Sequence, residues 1–203
     1  MSRKLLILAA LELEAKALEP ATGSAGIRII GIRAARLTRS MCEGADALIL
    51  AGLAGALDPT LRVGDIIYQK SGDWPPLPYR AGMIHTVDHL IDSPQEKAEL
   101  FRQTGAQAVD MESAIVGRFA TEAKLPLLIL RSISDTASRA LPRGMMNWID
   151  DIGRPRLGKI TLAAMKQPSL MPALKRLGED SQRALATLAA AVRTVVGSFD
   201  DGV

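Results

Sequence analysis

Aromatic residues make up only 3% of this 203-residue chain, and there are just two histidines. Cysteine occurs once, at Cys42, so no disulfide can form within the chain. With only His85 and His89 beside that thiol, no metal-ligand spacing is present, and no metal is expected. A chain this poor in aromatics lacks the stacking platforms of a single-strand nucleic-acid binder, so nucleic acid is not an expected partner. No apolar run approaches the length of a membrane-spanning helix. Ser2-Arg3-Lys4 followed by Leu5–Leu11 imitates the start of a signal peptide. The apolar run is short, however, and Glu12, Glu14 and Lys16 follow with no small-residue cleavage pattern. The expectation is a cytoplasmic protein without a cofactor.

What the chain does have is apolar mass and small residues. It is 48% hydrophobic and 23% charged, with 17 glycines. That balance fits one globular domain over residues 1–203 with a sizeable core. The net charge is +3, and the early basic residues cluster at Arg28, Arg33, Arg36 and Arg39. Such a cluster is either a solvated helix face or an anion site.

Short continuous apolar runs alternate with helix-favouring stretches. Leu5–Ala9, Ile27–Ile32, Ala47–Ala51, Val63–Tyr68 and Pro126–Arg131 read as strands, most of them buried on both faces. Met83–Val87 reads as a shorter one. Helices are expected after Ala10, from about Ala34, from Ser93 to Thr104 and over 113–124. The last third is expected to form three helices (159–166, 169–177, 179–196) broken at Pro168 and Gly178. Ser93-Pro94-Gln95-Glu96 is a helix start with proline at the first helical position. The 71–82 segment is a loop with Trp74, Leu77 and Tyr79, which suits a lid, an interface or a clamp for a greasy ligand. The pattern predicts an α/β fold of three layers, a central mixed sheet flanked by helices.

Three carboxylates each follow a predicted strand: Glu14, Glu112 and Asp135. Ligands in open α/β sheets bind beyond the carboxyl ends of the strands, so all three stand where chemistry is expected. Ala108-Val109-Asp110-Met111-Glu112-Ser113 runs from a strand into a helix. There, Asp110 or Ser113 also suits a helix cap, with Glu112 beside the positive end of the helix dipole. Between the first two carboxylates lies the glycine-rich Gly52-Leu53-Ala54-Gly55, read as a turn that lets backbone approach a ligand closely.

These segments resemble the signature blocks of the nucleoside phosphorylase and methylthioadenosine/S-adenosylhomocysteine nucleosidase superfamily. The matching blocks are Ala51–Leu57 with Leu61–Ile67, Val109–Ala114 and Leu130–Asp135, and Ala9–Glu14 is similar to the start of the nucleosidases. Arg139-Ala140-Leu141-Pro142, Gly153–Gly158 and Gln167–Leu174 resemble the hopanoid-associated phosphorylase branch, which is associated with releasing adenine from adenosylhopane. The resemblance implies a small-molecule nucleoside substrate, a homo-oligomer and no cofactor, with inorganic phosphate as a co-substrate if the reaction is phosphorolytic.

The resemblance also implies roles. Asp135 matches the base-facing aspartate that assists protonation of purine N7; to donate, its pKa must be raised by burial or by its partners. Ser134 and Gly52 fall among the substrate-binding positions. Glu112 matches the glutamate that accepts from the ribose hydroxyls, and Met111 the methionine packed on the sugar. Glu14 matches the glutamate that activates water, and Leu90 falls where the family puts an aromatic against the base. Two departures bear on the nucleophile. The nucleosidases usually carry Gly-Ser-Ala-Gly where Gly52-Leu53-Ala54-Gly55 stands, and the usual Gly-Ile-Gly-Lys-like turn is Gly31-Ile32-Arg33-Ala34-Ala35-Arg36. Arg33 and Arg36 suit bidentate phosphate contacts and favour phosphorolysis; Glu14 favours hydrolysis. Leu53 supports a further alternative, a non-catalytic nucleoside binder that keeps the fold. Peripheral membrane contact through loop 74–79 and the basic C-terminal helices is weighed against a subunit interface there, and the interface is preferred.

Overall fold

A computed structural model describes residues 4–200; Ser2 and Arg3 of the signal-like start lie outside the described residues. Among the described residues, eight strands form one mixed sheet. β1 (Leu5–Ala9), β2 (Gly26–Ile29), β3 (Ala47–Ala56) and β8 (Leu127–Asp135) are parallel, in the order β2-β1-β3-β8. β4 (Ile66–Ser71) runs antiparallel to β8 and carries the short β5 (Arg80–Ala81) beyond it. β7 (Ala108–Asp110) pairs antiparallel with Gly55 and Ala56 of β3, and β6 (Ile84–Thr86) pairs with β7.

The alternation of side chains along β3 builds two cores. Ala47, Ile49 and Ala51 face one cluster with Leu185, Leu188, Val192 and Val195 of α5 (Leu170–Asp200) and Leu18 of α1 (Glu12–Leu18). Leu48, Leu50 and Ala54 face another with Val116 and Ala120 of α3 (Ser113–Ala123). A sheet buried on both faces needs apolar residues at every position, which is why these strands read as unbroken apolar runs. Each large aliphatic side chain removed from water here contributes roughly 1.5–3 kcal/mol. α2 (Pro94–Thr104) starts with the Ser93 side chain accepting from the Glu96 N–H and ends at Gly105 with φ +66°. That left-handed end is where glycine is favoured.

Several expected elements take a different form. The glycine-rich Gly52–Gly55 is no turn: it is the second half of β3, paired with β8 throughout. β8 occupies one edge of β3, so β1 and β7 share the other, β1 along Ala47–Leu50 and β7 at Gly55–Ala56. The sheet therefore forks at Ala51–Ala54. The Ala- and Arg-rich stretch from Ala34 forms only 3₁₀ turns (Ile32–Ala34, Arg39–Cys42), because Arg33 and Ala34 adopt φ of +56° and +52°. Helix propensity is overridden there by a tertiary contact described below. α5 passes through Gly178 without a break, since its apolar face packs along the sheet far beyond the roughly 1 kcal/mol that one glycine costs. α4 (Leu157–Lys166) precedes it. The 71–82 loop is tied to the core: Trp74 is buried, its ring 5.6 Å from that of Phe199 at the end of α5. Exposed apolar side chains stand instead on α4 and the start of α5, at Leu157, Leu162, Met165 and Met171. No helix among the described residues is long and apolar enough to cross a membrane.

Candidate active site

At the fork, α1 brings Glu14 against the middle of β3. Glu14 is 3% exposed. Its Oε1 accepts the Leu53 N–H at 2.8 Å and its Oε2 accepts the Leu11 N–H at 2.9 Å. A Cβ at Gly52 would lie 2.7 Å from Glu14 Oε1, so only glycine lets carboxylate and strand come this close. The hydroxyl missing from Leu53 leaves the carboxylate tethered, because main-chain N–H groups hold it.

Arg131 lies beneath, fully buried in β8. Its Nε donates to Asp110 Oδ2 at 2.9 Å, and its Nη2 donates to Asp110 Oδ2 and, at 3.4 Å, to Glu112 Oε2. Its Nη1 is the one buried side-chain donor without a hydrogen-bond partner among the described residues. Burial works against the cation, and Asp110, Glu112 and Glu14 overcome it, so the guanidinium pKa is raised. Asp110 also accepts from the N–H and hydroxyl of Ser113, the first residue of α3, so it holds the helix start as well as Arg131; the N-cap position itself is taken by Glu112, not by Asp110 or Ser113.

Glu112 sits at the helix boundary, with the Arg33 N–H donating to its Oε1 at 2.9 Å. This contact requires the left-handed turn at Arg33 and explains why no helix forms there. Burial pushes the Glu112 carboxyl up to about 7; Arg131 opposes the rise, and Asp110 and Glu14 add to it. Burial likewise raises the Glu14 carboxyl, against Arg131 and its N–H donors. Three carboxylates around one guanidinium make a buried site with an excess of negative charge. Because its folded pKa lies above the ordinary 4.5, Glu112 stabilises the fold below pH 4.5, and that contribution is lost as pH rises through 7. The loss amounts to about 3 kcal/mol. Urea unfolding should therefore show the wild type losing about that much relative to Glu112→Gln between pH 4.5 and 7.5. Parallel curves for the two proteins would refute the assignment.

Asp135, the last residue of β8, is buried beside Gly55. Its Oδ1 accepts from the Ser134 hydroxyl at 2.7 Å, and its Oδ2 is ion-paired with Lys97 of α2.

Glu14, Met111, Glu112, Ser134, Asp135 and Leu90 all line one cavity of about 360 Å³. Gly52 lies behind its wall, against Glu14. The rest of the wall is largely apolar, including Leu11, Met145, Met146, Trp148, Ile149, Ile160, Leu174 and Leu177. Segment 136–156 crosses this side and is tied down at several points. Ile152 O accepts from the Glu12 N–H and Asp151 O from the Ile32 N–H, both at 2.9 Å. Arg36 pairs with Asp151 at 2.6 Å, and Arg154 pairs with Glu12. Neither Arg33 nor Arg36 lines the cavity: the Arg33 guanidinium donates to Asp88 O, and that of Arg36 is held by Asp151. A larger groove of about 490 Å³ runs between β4 and α3 and contains none of the three strand-end carboxylates.

The sequence assigns no role to Arg131 or Lys97, and to Asp110 only that of a helix cap. The signal for Arg131 was present, since a charge directly after Leu127-Leu128-Ile129-Leu130 must be paired when the strand is buried. Lys97 follows Pro94-Gln95-Glu96 in a polar helix start and carries no such signal.

Residues 68–166 match the Phosphorylase superfamily model. Over 132 residues the chain is 30% identical to the aminodeoxyfutalosine nucleosidase of Campylobacter jejuni, covering 46% of this chain and 58% of that relative. Over 163 residues it is 24% identical to the 5′-methylthioadenosine/S-adenosylhomocysteine nucleosidase of Tolumonas auensis, covering 60% of this chain and 70% of the relative. The fold is similar over almost its whole length to futalosine hydrolase of Helicobacter pylori, with TM-score 0.66, 18% identity, and coverage of 100% and 99% of the two chains. It is equally similar to a 5′-methylthioadenosine/S-adenosylhomocysteine nucleosidase of Helicobacter pylori solved with 5′-methylthioadenosine in the active site, with TM-score 0.67, 18% identity, and coverage of 97% and 99%.

Proposed function

We propose that the protein is an adenine-releasing nucleosidase that cleaves the N-glycosidic bond of an adenosine derivative with water. The observation that carries this reading is the convergence of Glu14, Glu112 and Asp135 on one cavity above Arg131. Glu112 accepts from the ribose hydroxyls, and Met111 packs on the sugar. Asp135, with Ser134 beside it, faces the base. Glu14, tethered by two backbone N–H groups, takes the proton of the attacking water, and burial raises its pKa above the ordinary carboxylate value, which makes it a stronger base. The excess negative charge favours the positive charge that builds on the sugar as the bond lengthens.

The same charge argues for water over phosphate. A phosphate would meet three carboxylates, and the two arginines suited to hold it point elsewhere. Phosphorolysis remains the second reading, and a non-catalytic binder is disfavoured by the tether that Leu53 supplies to Glu14. The apolar wall of Met145, Met146, Trp148, Ile160 and Leu174 supports a substrate with an apolar 5′ substituent, adenosylhopane being the one the sequence resemblance suggests. The test is adenine release from adenosine, methylthioadenosine and an adenosine with a long apolar 5′ group, with and without phosphate. Release without phosphate, fastest with an apolar 5′ group, is expected. No release from any of them overturns the reading, and release only with phosphate replaces water as the nucleophile.

A further inference from the structure

We propose that Lys97 is a positioning residue that also stores the proton taken up by the departing base. The inference rests on the nucleosidase reading above. Lys97 has no exposed surface. Its Nζ contacts Asp135 Oδ2, the Thr136 carbonyl at 3.0 Å and the Arg139 carbonyl at 3.1 Å. Three acceptors match the three N–H bonds of an ammonium, so the group is pointed at Asp135. An ion pair taken out of water is rarely better for stability than an apolar pair of the same volume. This one stands directly behind the carboxylate that faces the cavity, and its other two bonds fix the first residues of segment 136–156.

With Lys97 as ammonium and Asp135 as carboxylate, the pair holds one transferable proton. As the glycosidic bond breaks, its electron pair moves onto the purine. Asp135 takes the proton from Lys97 Nζ, which becomes a neutral amine, and hands it on to purine N7. Water adds its hydroxyl to the sugar carbon and gives its proton to Glu14. Once the products leave, Glu14 loses that proton to solvent in the cavity and Lys97 regains one through Asp135, which lines the same cavity, and this closes the cycle.

The test compares the wild type with Lys97→Met and Lys97→Arg on two substrates, an adenosine derivative and its N7-methylated form, whose base leaves without a proton. Arginine keeps the charge and the donors but does not give up a proton. If the proton comes from position 97, both variants lose roughly 10²–10⁴-fold in kcat on the ordinary nucleoside. On the N7-methylated one they stay within about tenfold of the wild type, the smaller loss being that of positioning alone. Thermal unfolding shows which variants are folded, and if Lys97→Met is not, Lys97→Arg carries the comparison. Recovery of wild-type turnover by Lys97→Arg, equal losses on both substrates, or a wild type that leaves the N7-methylated form intact while cleaving the ordinary one overturns the proposal. A wild type that releases no adenine from the ordinary nucleoside overturns the nucleosidase reading instead.

Discussion

Glu14→Gln protein should fold, bind nucleoside and release adenine at about a thousandth of the wild-type rate, within the roughly 10²–10⁴-fold span of general-base catalysis. Glutamine keeps the shape of the side chain and one acceptor for the two N–H donors at Leu53 and Leu11. It cannot take the proton of the attacking water. The loss should fall on kcat and leave KM within a few-fold, because in the proposed reaction Glu14 acts on the attacking water rather than on the base. In the wild type, kcat should rise with pH as Glu14 loses its proton, over a range displaced upward from the ordinary carboxylate range by burial. The variant should lose that limb of the profile. Steady-state rates of adenine release across pH give both readouts, and an unchanged kcat would remove Glu14 from the mechanism.

Arg131→Met should be the most destabilising single change in the site, by about 3–5 kcal/mol at neutral pH. Methionine fills much of the same volume, so the loss comes from charge. Asp110 would lose its charged partner, and Asp110, Glu112 and Glu14 would face one another with no cation between them. Protonation relieves that repulsion, so the variant should recover part of its deficit as pH falls toward 5. Urea unfolding at two pH values measures it. A deficit that is the same at both would show that shape, rather than charge, is what Arg131 contributes.

How far the sequence carries depends on which forces act locally. The unbroken apolar runs of β1, β3 and β8 are visible because a strand buried on both faces leaves no polar position. The cap of α2 is visible because Ser93 and Pro94 act within one turn. Glu14, Glu112 and Asp135 are visible because each follows a strand. By contrast, Gly52–Gly55 looks like a turn in isolation, and it becomes a strand only because β8 and β7 pair with it. The stretch after Gly31 has helical composition, yet the Arg33 N–H is needed at Glu112, 79 residues away. Lys97 is the clearest case. Its neighbours are those of a solvated helix start, and only the docking of α2 under the end of β8 makes it a buried cation.

The fork in the sheet has a consequence for how the site comes into being. Its parts are contributed from positions 14, 52, 112, 131 and 135, with a wall from α5, and they meet only where β1 and β7 divide one edge of β3. Contacts this distant in the chain carry a loop-closure cost that local contacts do not. The family-like segment 68–166 contains Glu112, Arg131 and Asp135, but it lacks Glu14, the glycine strand that admits it and the helix that closes the pocket. The site therefore belongs to no contiguous stretch of the chain, and a partly folded molecule has no reduced version of it.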